Sequence, residues 1–161
     1  MSDINKWIWT EEDFDRMGWH DCHIHAIAFS PETSELLLDL DYILEWMQPE
    51  SQGESFKFLT AAATLVFENV YDLEFDIASY FSGLEIDRIG REEPVEPRNA
   101  KYIQKQTEWK WTIECQEGEI TLRSVGFRQY VRTAPQSGEQ KLALSDRGGY
   151  CFTRGRTDAP A

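Results

Sequence analysis

Positive charge, paired cysteines and long apolar runs are all scarce in this chain. Sixteen lysines and arginines stand against 29 aspartates and glutamates in 161 residues, a formal net charge of −13. A surface of that sign repels phosphate backbones and the anionic face of a membrane, so nucleic-acid and membrane-surface binding are excluded. It favours a cation or a basic protein partner through long-range steering. The three cysteines, Cys22, Cys115 and Cys151, are odd in number and far apart, with no CxxC pair. That rules out a cysteine-built zinc cluster or a disulfide framework and points to a reducing, cytoplasmic compartment. The opening residues show no basic stretch followed by an apolar one, so no signal peptide is expected. No apolar run approaches the roughly 20 residues that span a bilayer. Walker A, GxGxxG, HExxH and GxSxG patterns are missing too, so no complete catalytic motif is present and no catalytic residue is assigned.

What the chain does have is core material. Aromatic residues make up 13%, with six Trp and nine Phe. The length suits one domain, residues 1–161, able to bury a full core without disulfide or structural metal. The expected core runs over 19–132, and residues 155–161 are expected to form a loose tail.

The hydrophobic pattern has a period of two almost throughout. A short helix is expected after Thr10, which caps the acidic run Glu11-Glu12-Asp13, with Gly18 as its stop. Strands are then expected over 22–29, 36–47, 58–67, 71–77, 84–89, 109–115, 119–125 and 127–131. Residues 150–152 are expected to add an edge strand, and 91–99, with Pro94 and Pro97, to form a loop. Leu142 and Leu144 are expected to dock on the sheet. Gly126 is expected to mark a bulge or kink. The fold class expected is mainly β: an antiparallel sandwich or partly open barrel of about seven strands with one short N-terminal helix.

Three groups of residues bear on chemistry. All three histidines fall within six residues, in Trp19-His20-Asp21-Cys22-His23-Ile24-His25. On a strand, His23 and His25 share a face about 7 Å apart, a spacing at which two imidazoles can bind one divalent metal. If Ile27 lies opposite Asp39, then His25 lies opposite Asp41. His23 and His25, with Asp41 or His20 as the further ligand, would then be candidate ligands of a metal-dependent hydrolase. The plain alternative is a structural strand, with Asp21 serving a turn.

The second group is acidic. Asp39, Asp41 and Glu45 alternate with apolar residues on one strand, and Asp72, Glu74 and Asp76 do so on another. Such alternation reads as the solvated face of a sheet. Its functional reading is a docking face for a basic partner. The third group is aromatic: Trp109 and Trp111 share a face with Ile113 and read as core. Arg123, Arg128 and Arg132 supply local positive charge that neutralises neighbouring acids. Ile43 and Met47 read as exposed apolar positions that would build an oligomeric scaffold.

The order Trp19-His20-Asp21, Leu38-Asp39-Leu40-Asp41-Tyr42-Ile43-Leu44 and Ala63-Thr64-Leu65-Val66-Phe67-Glu68-Asn69-Val70 resembles a group of small, uncharacterised bacterial proteins. Trp109-x-Trp111-x-Ile113, Gly118-x-Ile120 and Gly126-Phe127-x-Gln129 extend the likeness over most of residues 19–132. A looser similarity links it to toxin-immunity proteins, which implies a non-enzymatic binding protein and carries over no catalytic residue.

Overall fold

The computed structural model describes residues 5–78 and 83–157. It is an antiparallel sheet of ten strands that does not close into a barrel. The strands are β1 (Ile8–Thr10), β2 (His23–Ser30), β3 (Glu35–Met47), β4 (Lys57–Glu68) and β5 (Tyr71–Ile77). Then come β6 (Leu84–Val95), β7 (Glu108–Cys115), β8 (Gly118–Ser124), β9 (Gly126–Val131) and β10 (Gln136–Gly138). Their spatial order is β1-β9-β4-β3-β2-β6-β7-β8-β5, with β10 beside β4.

Two halves meet at narrow junctions. β2 joins β6 through only two residue pairs, His23 with Glu85 and Ile24 with Leu84. At the other side β4 turns into β5 through Asn69, which holds φ 52°, and β8 turns into β9 through Val125 and Gly126. Gly126 has φ 151°, and a Cβ there would stand 2.9 Å from the Glu11 carboxyl, so the kink expected at this position needs glycine.

The halves bury one core between them. Leu36, Leu38 and Leu40 of β3 and Leu65 and Phe67 of β4 pack with Trp111, Ile113, Ile120 and Leu122 of β7 and β8. Edge-to-face ring contacts tie the halves together: Phe67 to Trp111 at 5.4 Å and Trp111 to Phe127 at 5.7 Å. Each such pair adds about 0.5–1.5 kcal/mol beyond the area it buries. Trp111 is fully buried, as its aromatic strand face led one to expect.

Several expectations change. The helix after Thr10 is a 3₁₀ helix over Glu11–Arg16, closed by the Thr10–Asp13 capping box. The expected loop at 91–99 is strand up to Val95, and Pro94 is accommodated at a register shift between Glu92 and Val95. Residues 150–152 form no strand. β1 and β10, three residues each, are too short to show a period.

The larger surprise is a third layer. After β9 the chain crosses the outer face of β3 and β4, where Thr60, Ala62 and Thr64 leave room for it. Thr60 Oγ1 donates to the Glu139 carbonyl and Thr64 Oγ1 to the Thr153 carbonyl. A short helix, α1 (Leu144–Arg147), ends at Gly148 in the left-handed region, φ 79°. Leu142 docks and is buried, whereas Leu144 is exposed. Arg154 grips Glu35 with two hydrogen bonds, and the Thr157 N–H donates to the Arg132 carbonyl. Within the tail expected at 155–161, Thr157 thus bonds to Arg132, just past the end of β9; residues 158–161 lie outside the described residues.

Candidate functional site: a buried ionic cluster beside the histidines

Asp39 and Asp41 project from the outer face of β3, the face expected to be solvated. Both are 0% exposed, as is Arg132, and Arg147 is 2% exposed. This corrects the sequence-based expectation. The alternation was real, but the third layer covers it.

Every oxygen of the two carboxylates has a donor. Arg147 Nη2 donates to Asp39 Oδ1 at 2.6 Å and Arg147 Nη1 to Asp39 Oδ2 at 2.9 Å. Arg147 Nε reaches Asp41 Oδ1 at 2.9 Å, so one guanidinium bridges both acids. Arg132 Nη2 adds a bond to Asp39 Oδ1 at 2.8 Å, and its Nη1 donates to Thr64 Oγ1. Backbone N–H groups of Cys151 and Leu142 complete Asp39 Oδ2 and Asp41 Oδ2, both at 2.9 Å. His25 Nε2 lies 2.7 Å from Asp41 Oδ2.

The electrostatics follow from this saturation. Burial alone would raise the Asp39 carboxyl, but the Arg147, Cys151 and Arg132 hydrogen bonds hold it below its ordinary value. Burial works the same way at Asp41, where His25, the Leu142 N–H and Arg147 prevail and lower it. Burial opposes the charge on Arg147, and Asp39 and Asp41 more than restore it. Removing one partner from such a pair leaves a buried charge uncompensated. Among the described residues, Arg132 Nε has no hydrogen-bond partner.

His25 meets Asp41 by a different route from the one the sequence suggested. The observed register sets His23 opposite Asp41 and Ala26 opposite Asp39, with His25 the extra residue of a β-bulge. A bulge re-aims its side chain. The result brings His25 to Asp41 although the expected register, Ile27 opposite Asp39, is wrong; Ile27 pairs with Leu38.

His23 stacks edge-on to His25, ring centroids 4.9 Å apart. Its ring borders a depression of about 210 Å³ lined by Asp21, Gly83, Glu85, Glu117, Gln140 and Lys141. Burial, followed by the Lys141 and His25 charges, pushes the His23 pKa down to about 4, so the ring is neutral near pH 7. His20 stands apart, stacked on Trp46 with a ring separation of 6.0 Å.

The candidate metal set fits this geometry poorly. His25 Nε2 and both Asp41 oxygens are spent on protein partners. Among the described residues no group of three or more His, Cys, Asp or Glu side chains is placed to hold a metal ion. Cys22, on the opposite face of the strand start, is fully buried and its thiol is raised to about 12 by burial, so it is no nucleophile.

The other acids behave as expected. Glu45, Asp72, Glu74 and Asp76 are exposed, while Ile43, expected at the surface, is buried at 5% exposure. Asp72 pairs with Arg98 at 2.7 Å, and both remain largely solvated. Sequence reading noted Arg132 only as a surface neutraliser and missed Arg147. The one local signal for Arg147 is the Gly148-Gly149 pair that ends α1 just after it.

The fold and its site thus define a class: an open antiparallel β protein whose C-terminal segment is clamped to the sheet by a buried Asp–Arg–Asp–His cluster. The chain matches no protein-family model, no curated protein and no solved structure.

Proposed function

We propose that this is a non-enzymatic binding protein, of immunity type, that docks a basic protein partner through exposed carboxylates. One observation carries the reading. Asp76 of β5 stands directly opposite Glu119 of β8, and Glu119 directly opposite Glu114 of β7. Directly opposed residues share a face, and like charges so placed destabilise a sheet. All three are exposed, and the nearest cation in the row is Arg88, 3.8 Å from Glu114. An arrangement that costs stability in the free chain suits a surface relieved by a cationic partner. The net charge of −13 would steer such a partner from a distance.

The buried cluster supports the same reading from the other side. Its acids and arginines consume one another, which leaves the chemically richest residues with a structural task. A metal-dependent hydrolase on His23, His25 and Asp41 would require His25 and Asp41 to give up their bond. A cytoplasmic setting belongs to the proposal, supported by three free thiols. No helix among the described residues is long and apolar enough to cross a membrane.

The test is paired affinity capture from the source cell on immobilised wild-type protein and on the triple variant Asp76→Lys, Glu114→Lys, Glu119→Lys. A basic protein held in stoichiometric amount by the wild type, released between about 0.05 M and 0.5 M salt and lost on the variant, is the expected result. Identical capture by both columns would sink the reading.

A further inference from the structure

The seam where the two halves fail to close is lined by two strands with free edges. β5 is the last strand in the order, bonded to β8 on one side and to no strand on the other among the described residues. β2 pairs with β6 only at His23 and Ile24, so among the described residues its stretch from Ala26 to Ser30 has no strand on that side. The two edges come together at one end, where the Val70 N–H donates to the Ser34 carbonyl and Phe29 meets Phe75 with ring centroids 5.8 Å apart.

An unpaired edge offers a row of backbone donors and acceptors to any extended chain that reaches it. This one has further features that point to an occupant. Phe29 and Phe75 are 58% and 44% exposed, side by side at the seam. Next to them is a depression of about 280 Å³ lined by Phe29, Pro31, Ser34, Val70, Tyr71 and Leu73, large enough for an apolar side chain. Glu74 and Asp76 on the same strand have no ion-pair partner among the described residues. Lys110 and Arg123 do share a hollow with Asp72 and Glu74, but Arg123 is held by Glu93 and Glu108.

We infer that the free edge of β5 takes an extended, basic segment of the partner protein as an added strand. This rests on the binding reading above and goes beyond it by assigning the mode and the strand. Backbone hydrogen bonds along Tyr71–Ile77 hold the segment. Glu74 and Asp76 select lysine or arginine, and the depression beside Phe29 takes an apolar side chain at alternate spacing. The same carboxylates deter a second copy of this chain, because two β5 edges set side by side oppose like charges.

The probe is a synthetic peptide of about ten residues, the span of an ordinary strand with its flanks, alternating lysine and valine. A twin carries N-methyl groups on alternate amides, which removes strand donors and keeps the charge. A second twin has glutamate for lysine. On wild-type protein the lysine peptide is expected to bind at about 0.05 M salt and to slow amide exchange of residues 71–77 by about tenfold or more. The methylated twin and the glutamate twin are expected to do neither. Equal binding by the methylated twin, lost with Glu114→Lys and Glu119→Lys, would leave the carboxylate-face reading standing and overturn the edge. No binding of the lysine peptide, protection by the glutamate twin, or protection that grows with protein concentration alone would each overturn the edge proposal. The capture experiment would then decide the broader reading on its own.

Discussion

β3 and β5 carry the same pattern, acids alternating with apolar residues, and the fold treats them in opposite ways. Asp39 and Asp41 are sealed at 0% exposure under the C-terminal layer, with every carboxylate oxygen bonded. Asp72, Glu74 and Asp76 lie in solvent on the last strand of the sheet. The apolar partners of the two sets reach the same core: Leu38 and Leu40 are buried in it, and Leu73 and Ile77 pack against it. What separates them is the next layer out. Residues 139–153 cross β3 and β4, and no such layer crosses Glu74 and Asp76 of β5 among the described residues. An acidic strand face is thus solvated or structural depending on whether a distant segment supplies matching cations.

The comparison can be broken most severely by removing that segment. A chain ending after Gly138 loses the covering layer together with Arg147 and the Leu142 and Cys151 N–H donors, leaving Asp39 with Arg132 and Asp41 with His25. Urea titration is expected to show a larger loss than any single substitution. A stability within about 1 kcal/mol of the full chain would mean the third layer is ornamental.

Arg147→Ala comes next, with an expected cost of roughly 3–5 kcal/mol, because it strands Asp39 and Asp41 in a dry site. Glu74→Ala on β5 is expected to change stability by no more than about 0.5 kcal/mol in the same titration. Equal costs at the two sites would erase the distinction drawn between the strands.

His25→Phe removes one donor to Asp41 and leaves the others, so about 1–3 kcal/mol is expected. A tightly bound zinc lost in this variant, shown by metal analysis of untagged protein, would instead revive the metal reading.

Acid pH is expected to act on the same groups, lowering stability as the mutations do. Asp39 and Asp41 have folded pKa values below the ordinary carboxylate value. Their contribution is full above the unfolded value of about 3.9 and is lost as pH falls through the folded values. His23 acts at higher pH. Its pKa falls from 6.5 unfolded to about 4 folded, so the unfolded chain binds the extra proton and stability drops as pH goes from 6.5 toward 4. His23→Gln is expected to flatten that slope and leave the steeper acid transition of the aspartates in place. A slope unchanged in the variant would show that His23 does not carry it.

Much of the fold was legible because strand alternation is a local signal. Eight of the ten strands, β2 to β9, announce themselves by period-two runs or short apolar stretches between turn residues. The exceptions have local reasons. β6 runs on through Pro94 because a register shift accommodates it, and three-residue strands such as β1 and β10 are too brief to show a period. The candidate site was less legible. The pairing of His25 with Asp41 was anticipated through a register that does not occur, and the bulge at His25 that makes the contact has no signature in Ile24-His25-Ala26.

The sequence by itself determined the β character, the buried aromatic face at Trp111, the kink at Gly126 and the acidic balance, because each depends on local period, local conformational freedom or composition. Tertiary structure alone decided which acids are buried. Asp39 meets Arg132 and Arg147 across 93 and 108 residues of chain. The worth of a charge in a protein depends on the dielectric and partners around it, and no local pattern specifies either. The same holds for the free edge of β5: its alternation reads like that of β3, and only the sheet order shows that no strand pairs with it on that side among the described residues.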